Sequence, residues 1–226
     1  MGSIGTIWTY PFNPRAMKIE AVAAMNGRTI DHTSGFVMGK TNKSPEFLAD
    51  FPLGRVPTFK SIDEELVLSE SDAIAQYAAE CGPASDQLLG STAGERALVR
   101  QWIGFADHEL FEPLTTMIMW RYGMASFDEE SDKDCFQRLT ISLDILEKQL
   151  QGRQYIATQQ LSLADISVVA GLYWGFAQVI DKQLRSKYSL TTDWYLRVIQ
   201  DECLASAFGD KNFIELRRNA PEAASV

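Results

Sequence analysis

The sequence predicts an α+β N-terminal domain with a mixed four-stranded sheet, followed by an all-α domain. Three observations carry this. Runs rich in β-branched and aromatic residues are confined to the chain before Glu70. They alternate with helical stretches in the order strand, helix, strand, helix, strand, strand, helix. From Gly94 onward strand signals stop and apolar residues recur at helical spacing. A βαβ unit extended by an antiparallel hairpin gives a mixed sheet with helices on its faces. That is a thioredoxin-like layout, here without a C-x-x-C redox pair.

Ile4 to Tyr10 (IGTIWTY) is the first strand, ended by Pro11, Asn13 and Pro14. A helix follows from about Pro14 to Asn26. Pro14 suits its first turn, Asn13 can cap it and Gly27 supplies a left-handed stop. Arg28 to Phe36 is the second strand, with Ile30 and His32 on one face. Ser44 to Leu48 is a short helix with a serine cap and a proline in its first turn. Val56 to Phe59 starts a third strand, and Leu66 to Leu68 makes a fourth after an acidic turn. Ser69-Glu70-Ser71 then opens a helix carrying Ala73, Ile74, Tyr77 and Ala78. The first domain is expected at residues 1–84.

Residues 85–93 fall in a stretch of small and turn residues and are expected as a linker, with residues 94–226 as the helical domain. Glu95 to Arg121 reads as one long helix that Pro113 kinks or divides. Phe127 to Asp134 is an acidic loop or helix start, and Phe136, Leu139, Leu143, Leu146 and Leu150 mark the next helix. Ser162 and Asp165 form an S-x-x-D capping box, with Leu161 and Ile166 as its staple. The run from Ile166 to Ile180 has so little polar surface that it is expected as the buried central helix. The tail from Asn219 is small and polar and is expected to fray.

With 226 residues and 46% hydrophobic content the chain suits one large or two small globular domains. A formal charge of −9 argues against nucleic acid as the main partner. Three distant cysteines, Cys81, Cys135 and Cys203, form no metal or redox spacing and read as free thiols in a reducing compartment. Two histidines, His32 and His108, do not make a histidine metal site alone, so no metal is expected. No apolar run is long enough for a membrane span, and no signal peptide is visible. A cytoplasmic protein is expected. The Met1-Gly2 start formally fits a myristoylation pattern, which we read instead as a lead-in to the first strand.

The stretch from Phe47 to Glu80 suits a small peptide ligand. An extended residue just before a proline keeps its backbone N–H and C=O available for an added strand. A helix N-terminus at Ser71 attracts a carboxylate. The plain alternative is a turn, a hairpin and an ordinary serine cap. The pair G-R-V-P-T-F at Gly54 and E-S-D-A-I-A-Q-Y at Glu70 resembles the glutathione site of the cytosolic glutathione transferases. The resemblance covers nearly the whole chain. It is narrower still to the transferase-like domain of the elongation factor gamma subunit, through TYPFNPRAMK at Thr9, TNKSPEFLADFPLGRVPTF at Thr41, LLGSTAGERALVRQWIGFADHELFEP at Leu88 and LSLADISVV at Leu161. That subunit continues into a further domain, whereas this chain stops at Val226. The expectation is therefore a stand-alone enzyme of that branch, a type frequent in fungi and sometimes in secondary metabolism.

The resemblance implies a cis Val56–Pro57 bond, Val56 pairing with the cysteinyl backbone of glutathione, and Glu70 and Ser71 holding its γ-glutamyl end. It also implies a thiol-activating donor at the end of the first strand or start of the first helix. No Ser or Cys lies between Trp8 and Glu20. The candidates are Asn13, then Arg15, then Tyr10, each with a plain role as cap, surface charge or core. Asn42, Lys40 and Arg55 are candidates for the glycine carboxylate, and Asp107 could reach a partner subunit's glutathione in a homodimer. Met117, Trp120, Arg121, Tyr122 and Trp174 are expected to wall an interdomain pocket for a small apolar electrophile, or else to be core. The expected function is addition of the glutathione thiol to such an electrophile. The rivals are a glutathione-dependent cis–trans isomerase and a non-catalytic interaction module.

Overall fold

The computed structural model describes residues 2–209 and 213–220. The strands β1 (Ser3–Trp8), β2 (Thr29–His32), β3 (Thr58–Ser61) and β4 (Val67–Leu68) form one sheet in the order β2-β1-β3-β4. β1 is parallel to β2 and antiparallel to β3, and β3 is antiparallel to β4, so the sheet is mixed as expected. Ile7 stands opposite both His32 and Phe59, and Ile7 and Phe59 are fully buried. At Gly5, with φ 157°, a Cβ would lie 2.1 Å from the Lys60 carbonyl oxygen, so the two strands close only over glycine. The second strand ends at His32 rather than Phe36. Beyond it the Thr33 N–H and hydroxyl both turn back onto the Ile7 carbonyl, and Gly35 at φ 70° starts a loop.

α1 (Pro14–Met25) and α3 (Ser71–Glu80) pack together on one face, and α2 (Pro45–Asp50) follows a 3-10 turn at Thr41–Lys43. The stretch expected as linker carries α4 (Ser85–Leu89), with Leu88 fully buried. Its entry is fixed by Asn26, whose amide donates to the Ala78 and Ala79 carbonyls at 2.8 Å each and accepts from the Ala84 N–H at 2.8 Å. Gly82 passes so close that a Cβ there would sit 2.7 Å from the Asn26 side chain. Composition signals turns but not these contacts.

α5 (Ala93–Phe105), a π-helical stretch at Ala106–Phe111 and α6 (Glu112–Arg121) run on without a break. Pro113 does not divide them. It lies in the first turn of α6 and lacks the N–H that would meet the Glu109 carbonyl, and the Ser142 hydroxyl of α7 (Glu129–Gln149) donates there instead at 3.1 Å. The irregularity sits ahead of the proline, at a place where such wide turns often serve a site. α8 (Leu163–Gln178) is the buried central helix, followed by α9 (Lys182–Lys187), α10 (Ser189–Ile199) and α11 (Ala205–Phe208). The capping box is present. The Ser162 N–H donates to Asp165 at 3.1 Å, and the same carboxylate accepts from the Ile156 N–H at 2.9 Å and the Trp194 indole at 3.3 Å. Burial pushes the Asp165 carboxyl up, against the pull of these bonds.

One hydrophobic core runs from Ile7, Phe59 and Ile74 through Leu110 to Val168 and Phe176, and α1 packs on both α8 and α11. Among the described residues no helix is long and apolar enough to cross a membrane. The tail beyond Ala220 lies outside the described residues.

Candidate functional site

Two clefts flank the first turn of α1. The first, of about 340 Å³, is lined by Arg55, Val56 and Pro57 before β3, by Glu70 and Ser71 at the start of α3, and by Arg15 of α1. Asp107, His108 and Glu112 face them from the helical domain. The Val56–Pro57 bond is cis. Strand pairing begins only at Thr58, and among the described residues Val56 makes no backbone hydrogen bond. Glu70 is extended (φ −108°, ψ 128°) and exposed, and Ser71 is buried as the first residue of α3. A backbone without internal hydrogen bonds at Val56, a helix N-terminus at Ser71 and the Arg15 side chain therefore converge. That set matches a peptide with an anionic end.

Behind Ser71 lies an ionic network. Arg15 donates to Asp107 at 2.5 Å and to the Ser71 hydroxyl at 3.3 Å, with its guanidinium 4.2 Å over the Phe111 ring. Lys18, 1% exposed, is paired with Asp72, which Arg100 also approaches at 3.4 Å. Burial pushes the Asp72 carboxyl up, but the Lys18 charge and hydrogen bond, with lesser help from Asp107 and Arg100, hold it below its ordinary value. Asp107 goes the other way. Burial raises it, Lys18 and Arg15 pull it down, and the neighbouring Asp72 adds to the rise. Asp107 thus engages Arg15 of its own chain.

The second cleft, of about 450 Å³, is lined by Tyr10, Phe12 and Asn13 of the β1–α1 loop, Met17 and Glu20 of α1, and His32 and Phe36. Phe12 is 73% exposed and stands at φ 60°, a backbone conformation unusual for an aromatic residue. Val37 and Met38, next to Phe36 in the chain, are also exposed. Asn13 is buried. Its amide oxygen accepts from the Arg15 N–H at 3.1 Å as the cap of α1, and its amide nitrogen donates to the Thr9 hydroxyl at 3.1 Å. Burial raises the Tyr10 phenol, with Arg15 opposing. Of the three thiol-activating candidates, only Arg15 lines the first cleft.

Other expected positions differ. Asn42 is buried, accepting from the Gly39 N–H and donating to the Gly54 carbonyl at 2.6 Å each, so it braces the two loops instead of facing a ligand. Lys40 is exposed on the same turn, and Arg55 borders the first cleft. The expected electrophile wall borders neither cleft. Met117 is fully buried in the core. Trp120 donates to Asp132 at 2.7 Å, and Arg121 donates to the same carboxylate at 2.8 Å and to the Arg218 carbonyl at 2.8 Å. Tyr122 is exposed and accepts from Gln178, and Trp174 packs half-buried against the core. Helical spacing at a domain boundary fits a core seam as well as a pocket wall. Lys18 and Asp72 escaped the sequence reading altogether. The signal was present as a lysine one turn after Arg15 and an acid next to Ser71.

Comparison with known proteins finds relatives along nearly the whole chain. Residues 3–80 match the family model for the glutathione S-transferase N-terminal domain, and residues 105–202 match that for the C-terminal domain. A glutathione S-transferase-like protein of Aspergillus aculeatus is 41% identical over 211 residues, covering 92% of this chain and 98% of its own length. The glutathione S-transferase-like protein LUC7 of a Fusarium species is 41% identical over 218 residues, covering 96% of this chain and 99% of its own length. The solved GST-like domain of elongation factor 1-gamma from Saccharomyces cerevisiae shares the fold with a TM-score of 0.82 at 22% identity, covering 97% of this chain and 99% of that domain. Matched in both halves, and similar to these fungal relatives along nearly its whole length, the chain belongs to the glutathione S-transferase family.

Proposed function

We propose that this chain binds glutathione in the Val56–Ser71 cleft and adds its thiol to an apolar electrophile held in the Tyr10–Phe36 cleft. The observation that carries the reading is the meeting of the unpaired Val56 backbone with the α3 N-terminus at Ser71. Val56 pairs with the cysteinyl backbone, Glu70 and Ser71 hold the γ-glutamyl end, and Arg55 and Lys40 serve the glycine carboxylate. Asn42 keeps the loops beside them in shape. A free thiol ionises near pH 8.5, and lowering that by about two units takes about 2.7 kcal/mol of selective thiolate stabilisation. Arg15 supplies charge, and the Asn13 amide has a second N–H beyond the one given to Thr9. Exposed Phe12, Val37 and Met38 fit an apolar substrate. Homodimerisation belongs to the same reading.

One other reading has an observation of its own. The likeness to the elongation factor domain, with no Ser or Cys between Trp8 and Glu20, favours a non-catalytic interaction module. A calorimetric glutathione titration, with ultraviolet detection of bound thiolate across pH, separates the two. Binding with a thiol pKa well below 8.5 supports the transferase. Binding without a shift leaves a scaffold, and absence of binding refutes the glutathione reading.

A further inference from the structure

The second cleft holds a histidine–carboxylate contact that thiol addition alone does not use. His32, the last residue of β2, has Nε2 3.1 Å from the Glu20 carboxylate of α1. Both line the cleft, and Tyr10 is the one other titratable side chain among its described lining residues. Burial raises the Glu20 carboxyl, while the His32 charge and hydrogen bond pull it down. The imidazole itself is about half exposed, so a ligand can reach it. An imidazole with one nitrogen fixed by a carboxylate has the form of a proton donor, its other nitrogen left for the ligand.

We propose that His32, oriented by Glu20, is the proton donor to an α,β-unsaturated carbonyl electrophile and decides whether its glutathione adduct is kept. This rests on the glutathione reading above. The thiolate forms a C–S bond at the β-carbon, and the C=C pair moves onto the carbonyl as an enolate. The imidazolium gives its Nδ1 proton to the enolate, leaving a neutral thioether and a neutral imidazole that solvent reprotonates. Without that proton the enolate pair re-forms the C=C bond and the C–S bond breaks. Rotation about the single bond of the enolate before this step turns the outcome into isomerisation. Glu20 is a positioning residue in this scheme.

The test compares the wild-type chain, His32→Gln and Glu20→Gln with two electrophiles. One is a cis-configured enone. The other is 1-chloro-2,4-dinitrobenzene, which expels chloride and needs no proton. For His32→Gln the rate ratio of enone conjugation to aryl chloride conjugation is expected to fall about 100-fold, in the range of general acid catalysis. The yield of trans-enone relative to conjugate is expected to rise. Glu20→Gln is expected to move both readouts the same way by less. Equal losses on both electrophiles, no change in either ratio, or a wild-type chain that uses the aryl chloride but no enone would overturn the proposal and leave the transferase reading standing. A wild-type chain that binds no glutathione overturns both.

Discussion

Replacing Lys18 with Met tests the network beneath Ser71. Lys18 is 1% exposed and its ammonium group meets Asp72 inside the fold. Removing it leaves an ionised carboxylate facing Asp107 without its nearest cation. Breaking a buried pair from one side costs about 3–5 kcal/mol. Arg100 stays within 3.4 Å of Asp72, but at 68% exposure it compensates by less than about 1 kcal/mol. The expected loss is therefore about 3 kcal/mol at neutral pH, read from urea denaturation. The double variant Lys18→Met/Asp72→Leu removes both charges and is expected to recover most of the loss. The folded pKa of Asp72 lies below its unfolded value, so the pair's contribution is present above about pH 3.9 and is lost as pH falls through the folded pKa. The deficit of the single variant should shrink on that acid limb. A single variant within 1 kcal/mol of wild type, or a double variant no better than the single, would refute the reasoning.

Four further outcomes follow from the geometry. Arg15→Ala is expected to lower kcat more than glutathione affinity, whereas Ser71→Ala weakens glutathione binding about tenfold with a smaller effect on kcat, as one lost charge-assisted contact implies. Steady-state kinetics beside calorimetry separates the two. Asp107 has a folded pKa above its unfolded one, so its contribution is fully present below about pH 3.9 and fades as pH rises through the folded value. Asp107→Asn should remove that fade from the denaturation profile. Asp165→Ala strands the Ile156 and Ser162 N–H groups and the Trp194 indole, and is expected to cost about 3–5 kcal/mol in thermal or urea unfolding. Asn42→Ala releases Gly39 from Gly54 and should cost about 1–2 kcal/mol while weakening glutathione binding only a few-fold.

The parts legible in the sequence were those written locally. Asn13, Pro14 and Gly27 mark one helix by cap, first turn and stop, and the box at Ser162 and Asp165 marks another. Val56-Pro57 and Glu70-Ser71 sit close enough in the chain to be recognised as a pair of motifs. What stayed hidden depends on contacts across long chain separations. Arg15 meets Asp107 from 92 positions away, and Lys18 meets Asp72 from 54. Asn42 looked like a ligand contact because a polar loop residue carries no mark of the carbonyl it braces. Arg121 looked like a pocket wall because its partners, Asp132 and Arg218, lie on other segments. His32 and Glu20 come together only when β2 is laid beside α1, so neither residue signals the other in the sequence.

The packing of α1 on α8 bears on how the chain unfolds. α1 closes the sheet on one side and covers the central helix of the second domain on the other. Its Arg15 is fastened to Asp107 across that seam. Separating the sheet from α8 would expose the interior on both sides of α1, so the chain is expected to unfold as one cooperative unit. Calorimetric melting should give one endotherm whose van't Hoff and calorimetric enthalpies agree. Amide protons in Ile19–Val22 of α1 and Val168–Leu172 of α8 should exchange with a common protection, set by the global event and not by local fraying.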